Sequence, residues 1–230
     1  MSNEPNAIGE RSLRAEVNLY YDLYAPPAAG PRPLLLALHG YGSSKRHMMR
    51  EAQQMAPEGW AIATLQGLHQ HIRQPKEKGG PLRFGFGWLT NFKTEEYIAL
   101  HHKFLLDVIA QLTSEDVADP QRIFLLGFSQ TCALNFRFAF THPNVLRGIV
   151  GMCGGVPGDW TTNELYQPIN APILYLHGTQ DEFYPPAQIA ANAEKLRERA
   201  PVVTVHAYAA GHDFTDPMRA DVSEWLRGLV

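Results

Sequence analysis

The stretch IFLLGFSQTC, Ile123 to Cys132, decides how the chain is read. Ile123 to Leu126 is a continuous apolar run, the pattern of a strand covered on both faces. It runs into Gly127, Phe128, Ser129 and Gln130, and a helical pattern from Ser129 to about His142 follows. A strand therefore turns into a helix at a serine. In an open α/β sheet, functional groups collect at the carboxyl ends of the strands, so Ser129 stands where a small molecule can reach it. Thr131 occupies a position where a glycine would leave more room.

Working outward, the same alternation recurs. LLLALHG, WAIATLQG, LRGIVGMC, PILYLHG and VVTVHAYA read as strands, and helical patterns lie between most of them. The helix from Thr94 to about Thr113 carries Tyr97, Leu100, His101, Phe104, Leu105, Val108, Ile109 and Leu112 at three-four spacing. In SSKRHMMREAQQMA the helical face is Met48, Ala52, Met55 and Ala56; in the last helix it is Val222, Trp225, Leu226 and Leu229. Alternating strands and helices imply parallel crossovers and an α/β fold, a mostly parallel sheet flanked by helices on both faces. LRAEVNLYYDLYAP reads as one or two antiparallel strands at a sheet edge. Residues 68–93, rich in glycine and aromatic residues, read as irregular. The expected organisation is a loose tail over residues 1–12 and a single domain over 13–230.

The bulk composition narrows the function classes. The chain has 230 residues, 45% of them hydrophobic, 19% charged, and a net charge of -3. That suits one ordinary globular domain. Lysine and arginine are scattered, which argues against nucleic acid as a partner. No apolar run is long enough to span a bilayer. The two cysteines, Cys132 and Cys153, form neither a disulfide framework nor a zinc pattern. MSNEPNAIGE has no secretory character, so a cytoplasmic location is expected.

A serine hydroxyl is a weak nucleophile until a base takes its proton. A histidine and an orienting carboxylate should therefore occupy other strand ends. Asp181 follows the strand PILYLHG, and His212 follows VVTVHAYA. Glu182 is a rival orienter, although the shorter Asp181 directly after the strand suits a fixed partner better. In this scheme His212 accepts the Ser129 proton and Asp181 holds the imidazole tautomer. Acyl transfer also needs donors for an oxyanion. The backbone N–H groups of Gln130, after the serine, and of Tyr41, in the loop after LLLALHG, are the candidates.

The motifs LHGYGSS, LLGFSQ, LHGTQDEFYP and AGHDF, in that order over residues 34–230, resemble the phospholipase/carboxylesterase family of α/β-hydrolases. The order Ser129, Asp181, His212 is that of the α/β-hydrolase fold, whose elbow is written G-x-S-x-G. The resemblance implies a compact hydrolase of carboxylic and thio-esters without a cap domain; the span from Cys153 to Pro172 is short for one. It places Trp88, in GFGWLTNF, at the substrate pocket, and Cys153, in GMCGG, at its border. Phe183, beside Asp181, is a further pocket candidate. The expected partner is a small-molecule ester, with no metal or organic cofactor implied; the oligomeric state is left open.

Plainer readings stand beside these. Ser129 also suits a helix N-cap. His39 and His177 each precede a glycine at a strand end and read as structural. His101 reads as a satisfied core residue, Trp88 equally well as core packing, and the two cysteines as small buried hydrophobes. His47, His69 and His71 lack a carboxylate or cysteine at ligand spacing. Thr131 departs from the elbow pattern. Its branched side chain should push a neighbour back, while its hydroxyl can find a backbone partner. The alternatives to ester hydrolysis are thioesterase, lactone or dienelactone-type hydrolase, small peptidase, and a non-catalytic binding protein on the same scaffold.

Overall fold

The computed structural model describes residues 9–27, 29–75, 77 and 79–230. Most of the expected N-terminal tail, residues 1–8, lies outside the described residues. The elements in chain order are β1 (Tyr21–Tyr24), β2 (Arg32–Leu38), α1 (Lys45–Met55), β3 (Ala61–Leu65), β4 (His69–Arg73), β5 (Arg83–Gly87), α2 (Thr94–Ser114), β6 (Ala118–Phe128), α3 (Gln130–Thr141), β7 (Gly148–Met152), β8 (Ile173–Gly178), α4 (Pro186–Arg197), β9 (Val203–Tyr208) and α5 (Asp216–Arg227).

Seven strands form one sheet in the order β1-β3-β2-β6-β7-β8-β9. All neighbours are parallel except the edge pair β1–β3. The apolar runs are continuous because both faces are covered. Leu35, Ala37, Phe124, Leu126 and Val150 pack under α1 and α5, which contribute Met48, Ala52, Met55, Met218, Val222 and Leu226. Leu34, Leu36, Leu38, Ile123 and Leu125 face the other way, onto α2 and α3. Further along, Ile149, Ile173 and Tyr175 meet α3 and α4. Each fully buried leucine contributes about 1.5–3 kcal/mol relative to exposure.

The N-terminal stretch supplies one short strand, β1, paired antiparallel to β3 at the sheet edge, as expected. One feature departs from expectation: within residues 68–93, β4 and β5 pair antiparallel as a separate two-stranded hairpin. This hairpin matters for the site because Phe86 bridges to Ser43, at the end of the loop after β2.

The connection between β7 and β8 holds no helix or strand. It is fastened to α3 instead. Arg137 donates to both oxygens of Asp159 at 2.7 Å each, and the Tyr166 hydroxyl joins the same carboxylate at 2.9 Å.

Candidate active site

Four parallel strand ends converge on one rim: β2, β6, β8 and β9. The chain leaves β6 sharply. Ser129 has φ 57° and ψ -116°, a conformation that costs a non-glycine residue about 1–3 kcal/mol. It is held there from both sides. Its N–H donates to the Met152 carbonyl at 2.9 Å, and its carbonyl accepts from Cys132 N at 3.1 Å. Two glycines allow the crowding. A Cβ on Gly154 would lie 2.4 Å from the Ser129 carbonyl oxygen, and one on Gly127 would lie 2.7 Å from the Asn135 amide.

Ser129, Asp181 and His212 meet across this rim. Ser129 Oγ is 3.0 Å from His212 Nε2, and His212 Nδ1 is 2.9 Å from Asp181 Oδ2. An ionised carboxylate only accepts, so Nδ1 must carry the proton. In the neutral ring, Nε2 then presents its lone pair to the serine hydroxyl. The other Asp181 oxygen accepts the backbone N–H groups of Phe183 at 2.9 Å and Tyr184 at 3.0 Å. The Asp181 side chain is wholly buried, whereas Glu182 is exposed, so the rival carboxylate is not the one engaged.

The Tyr41 and Gln130 N–H groups have no hydrogen-bond acceptor among the described residues. Gly40 brings the two loops together: a Cβ there would come within 3.1 Å of Ser129 Cβ. The hairpin braces the outer side of the Tyr41 loop. Gly42 N donates to Phe86 O at 2.8 Å, Phe86 N to Ser43 O at 3.0 Å, and Arg73 Nη1 to Gly42 O at 2.8 Å. The Tyr41 ring stacks on His71 with centroids 4.6 Å apart. A cleft of about 130 Å³ opens beside Ser129 and His212, lined by Gly40, Tyr41, Met48 and Phe214 among others.

The pocket candidates separate. Trp88 does not line this cleft; it is 2% exposed. Its indole N–H donates to the His39 carbonyl at 2.9 Å, and its backbone N–H to Gln130 Oε1 at 2.9 Å, so it supports the Tyr41 loop from within the core. Cys153 is buried behind Asp181, with φ 48°. Its Sγ, an Asp181 oxygen and a His212 ring nitrogen all lie within 4.8 Å of one another. A metal could use these donor types, but Asp181 is bonded to His212 and burial pushes the Cys153 thiol up to about 12. Phe183 is exposed at the rim, its ring 4.9 Å from that of His212. Phe128 and Tyr184 also pack on the imidazole, at 4.9 and 5.9 Å.

His39 and His177 have local structural partners. His39 Nδ1 donates to Gly40 O at 2.8 Å, and its Nε2 accepts Gly67 N at 3.0 Å and the Gln66 amide at 3.1 Å. Burial lowers its pKa to about 4, so the ring stays neutral. His177 contacts Gly178 O at 3.3 Å. His101 is buried as expected, with Asn135 as its hydrogen-bonding neighbour and Trp88 and His102 against its ring.

Residues 24–230 match the profile of the phospholipase/carboxylesterase family. The chain belongs to that family. Among curated proteins it is 27% identical over 172 residues to NocK of Nocardia uniformis subsp. tsuyamanensis, named as an esterase. That match covers 72% of this chain and 46% of NocK, so the chain spans under half of that relative's length. It is 26% identical over 204 residues to acyl-protein thioesterase 1 of Gibberella zeae, covering 82% of this chain and 84% of that one. Among solved structures, esterase PE8 superposes with a TM-score of 0.73 at 20% identity, over 93% of this chain and 100% of that one. This likeness is one of α/β-hydrolase fold. Among the described residues, no helix is long and apolar enough to cross a membrane.

Proposed function

We propose that this family member is a serine hydrolase that cleaves carboxylic esters through an acyl-enzyme on Ser129. The observation that carries the reading is the unbroken hydrogen-bonded line Ser129–His212–Asp181, ending on a buried carboxylate. The Ser129 oxygen attacks the ester carbon while its proton passes to His212 Nε2. The negative charge that develops on the carbonyl oxygen falls between the N–H groups of Tyr41 and Gln130. His212 then gives its proton to the departing alcohol, which leaves the acyl group on Ser129. A water molecule, giving a proton to the same nitrogen, repeats the attack; His212 then returns that proton to Ser129 Oγ as the acyl bond breaks and the acid leaves. Asp181 stabilises the imidazolium in both halves without taking its proton.

Turnover of a short-chain p-nitrophenyl ester tests the reading. Ser129→Ala should cost about 10⁴-fold or more in kcat. Equal rates for the two proteins would end it. A thioester reading draws support from the acyl-protein thioesterase relative, and the same panel run with an S-acyl thioester would favour it if thioesters turn over faster.

A further inference from the structure

The residue that departs from the G-x-S-x-G elbow has a role of its own. The last registered pair between β2 and β6 is Leu38 with Gly127. One residue further on, the strands no longer bond directly. Phe128 N donates instead to the Thr131 hydroxyl oxygen at 3.0 Å, and that hydroxyl lies 3.0 Å from the carbonyls of both Leu38 and Phe128. A hydroxyl carries one proton and two acceptor lone pairs. It can therefore accept from Phe128 and share its proton between the two carbonyls. Thr131 is completely buried, so water does not compete for these groups.

The two ends of this bridge have different destinations. Leu38 leads through His39 and Gly40 to Tyr41, which carries one candidate oxyanion donor. Phe128 leads directly to Ser129 and to Gln130, which carries the other. A Cβ on Gly40 would lie 3.0 Å from the Phe128 ring and 3.1 Å from Ser129 Cβ, so the two loops run close together just where strand pairing has run out. The expectation that the Thr131 hydroxyl finds a backbone partner is met. Its side chain fills the place of a missing rung.

We propose that Thr131 is a positioning residue whose hydroxyl, inserted between β2 and β6, sets the spacing between Ser129 and the Tyr41 N–H. This rests on the hydrolase reading. A bridge of this kind affects the tetrahedral state, in which the oxygen anion must reach both donors, more than it affects substrate binding. Glycine at this position cannot supply the bridge, so the threonine is a substitute solution and not a flaw in the motif.

The test compares Thr131→Val, which keeps the shape and removes the hydroxyl, with Thr131→Ser, which keeps the hydroxyl. Three quantities are measured: kcat, KM, and the inhibition constant of a trifluoromethyl ketone that forms a tetrahedral adduct with the serine. Thr131→Val should lose about tenfold or more in kcat with KM within about twofold, and the ketone should weaken in step; Thr131→Ser should stay within about threefold of the parent. If the valine variant does not fold, Thr131→Gly removes the same oxygen without adding bulk and should show the same split. A folded variant lacking the hydroxyl that keeps parental kcat and ketone affinity overturns the proposal alone. A parent protein that neither turns over esters nor binds the ketone overturns the hydrolase reading, and this proposal with it.

Discussion

His101 should make the protein sensitive to mild acid, and the size of the effect follows from its surroundings. It lies on α2, 2% exposed, edge-on to Trp88 with ring centroids 5.4 Å apart. Burial is the main reason its pKa falls to about 3, and the neighbouring His102 adds to it. In the unfolded chain an imidazole takes its proton near pH 6.5, within about a unit. As pH falls below that value, the unfolded state binds a proton that the folded state refuses. Stability is therefore lost as pH falls from about 6.5 towards the folded value, and the loss is complete once the folded ring is protonated as well. Between about pH 8 and about pH 5, one such group removes about 2 kcal/mol. Replacing His101 with leucine deletes that contribution. Any packing loss, and the loss of the Asn135 contact with the ring, weigh nearly equally at both pH values and cancel in the difference. Urea unfolding followed by tryptophan fluorescence at the two pH values should show the pH-dependent drop in His101→Leu smaller by about 2 kcal/mol. An unchanged drop would refute the reasoning.

Other outcomes follow from the same geometry. Asp181→Asn should keep the protein folded but cut kcat by about 10⁴-fold, because the amide no longer selects the Nδ1–H tautomer; steady-state kinetics on the purified variant checks this. Gly154→Ala places a methyl 2.4 Å from the Ser129 carbonyl and 2.5 Å from Cys132. It should lower the melting temperature and the ester hydrolysis rate together. Both cysteines are buried and burial raises both thiols, Cys153 to about 12. Neither should react with a thiol reagent in the native protein, and both should react after urea unfolding, as counted by mass spectrometry.

The parallel sheet was legible because a strand buried on both faces must be apolar throughout, and Leu34–Leu38 and Ile123–Leu126 are. Ser129 and Asp181 could be located because each closely follows such a run, and His212 because it comes shortly after the mixed edge strand β9. The hairpin escaped notice for the opposite reason. His69, Gln70, His71 and Arg73 are polar, Gly85 and Gly87 break the alternation, and among the described residues the two strands pair with each other and, outside that pair, form one isolated bridge, Phe86 to Ser43. Trp88 stood open between pocket and core because a motif gives a position in the chain but not the side of a loop on which a ring lies. Its indole N–H found the His39 carbonyl in the core. The hydroxyl of Thr131 could be seen to want a backbone partner, but its bond to Leu38 spans 93 positions and no local pattern reveals it.

The β4–β5 hairpin stands apart from the central sheet yet touches the Tyr41 loop through Phe86 and Arg73. His71 adds a stacked ring on Tyr41, and His69 lies edge-on to Tyr97 of α2. Among the described residues, the hairpin lines none of the cleft beside Ser129. It is a buttress: the loop that presents the Tyr41 N–H is propped from outside the sheet, so damage there would be felt as a misaimed donor and not as a lost reacting group.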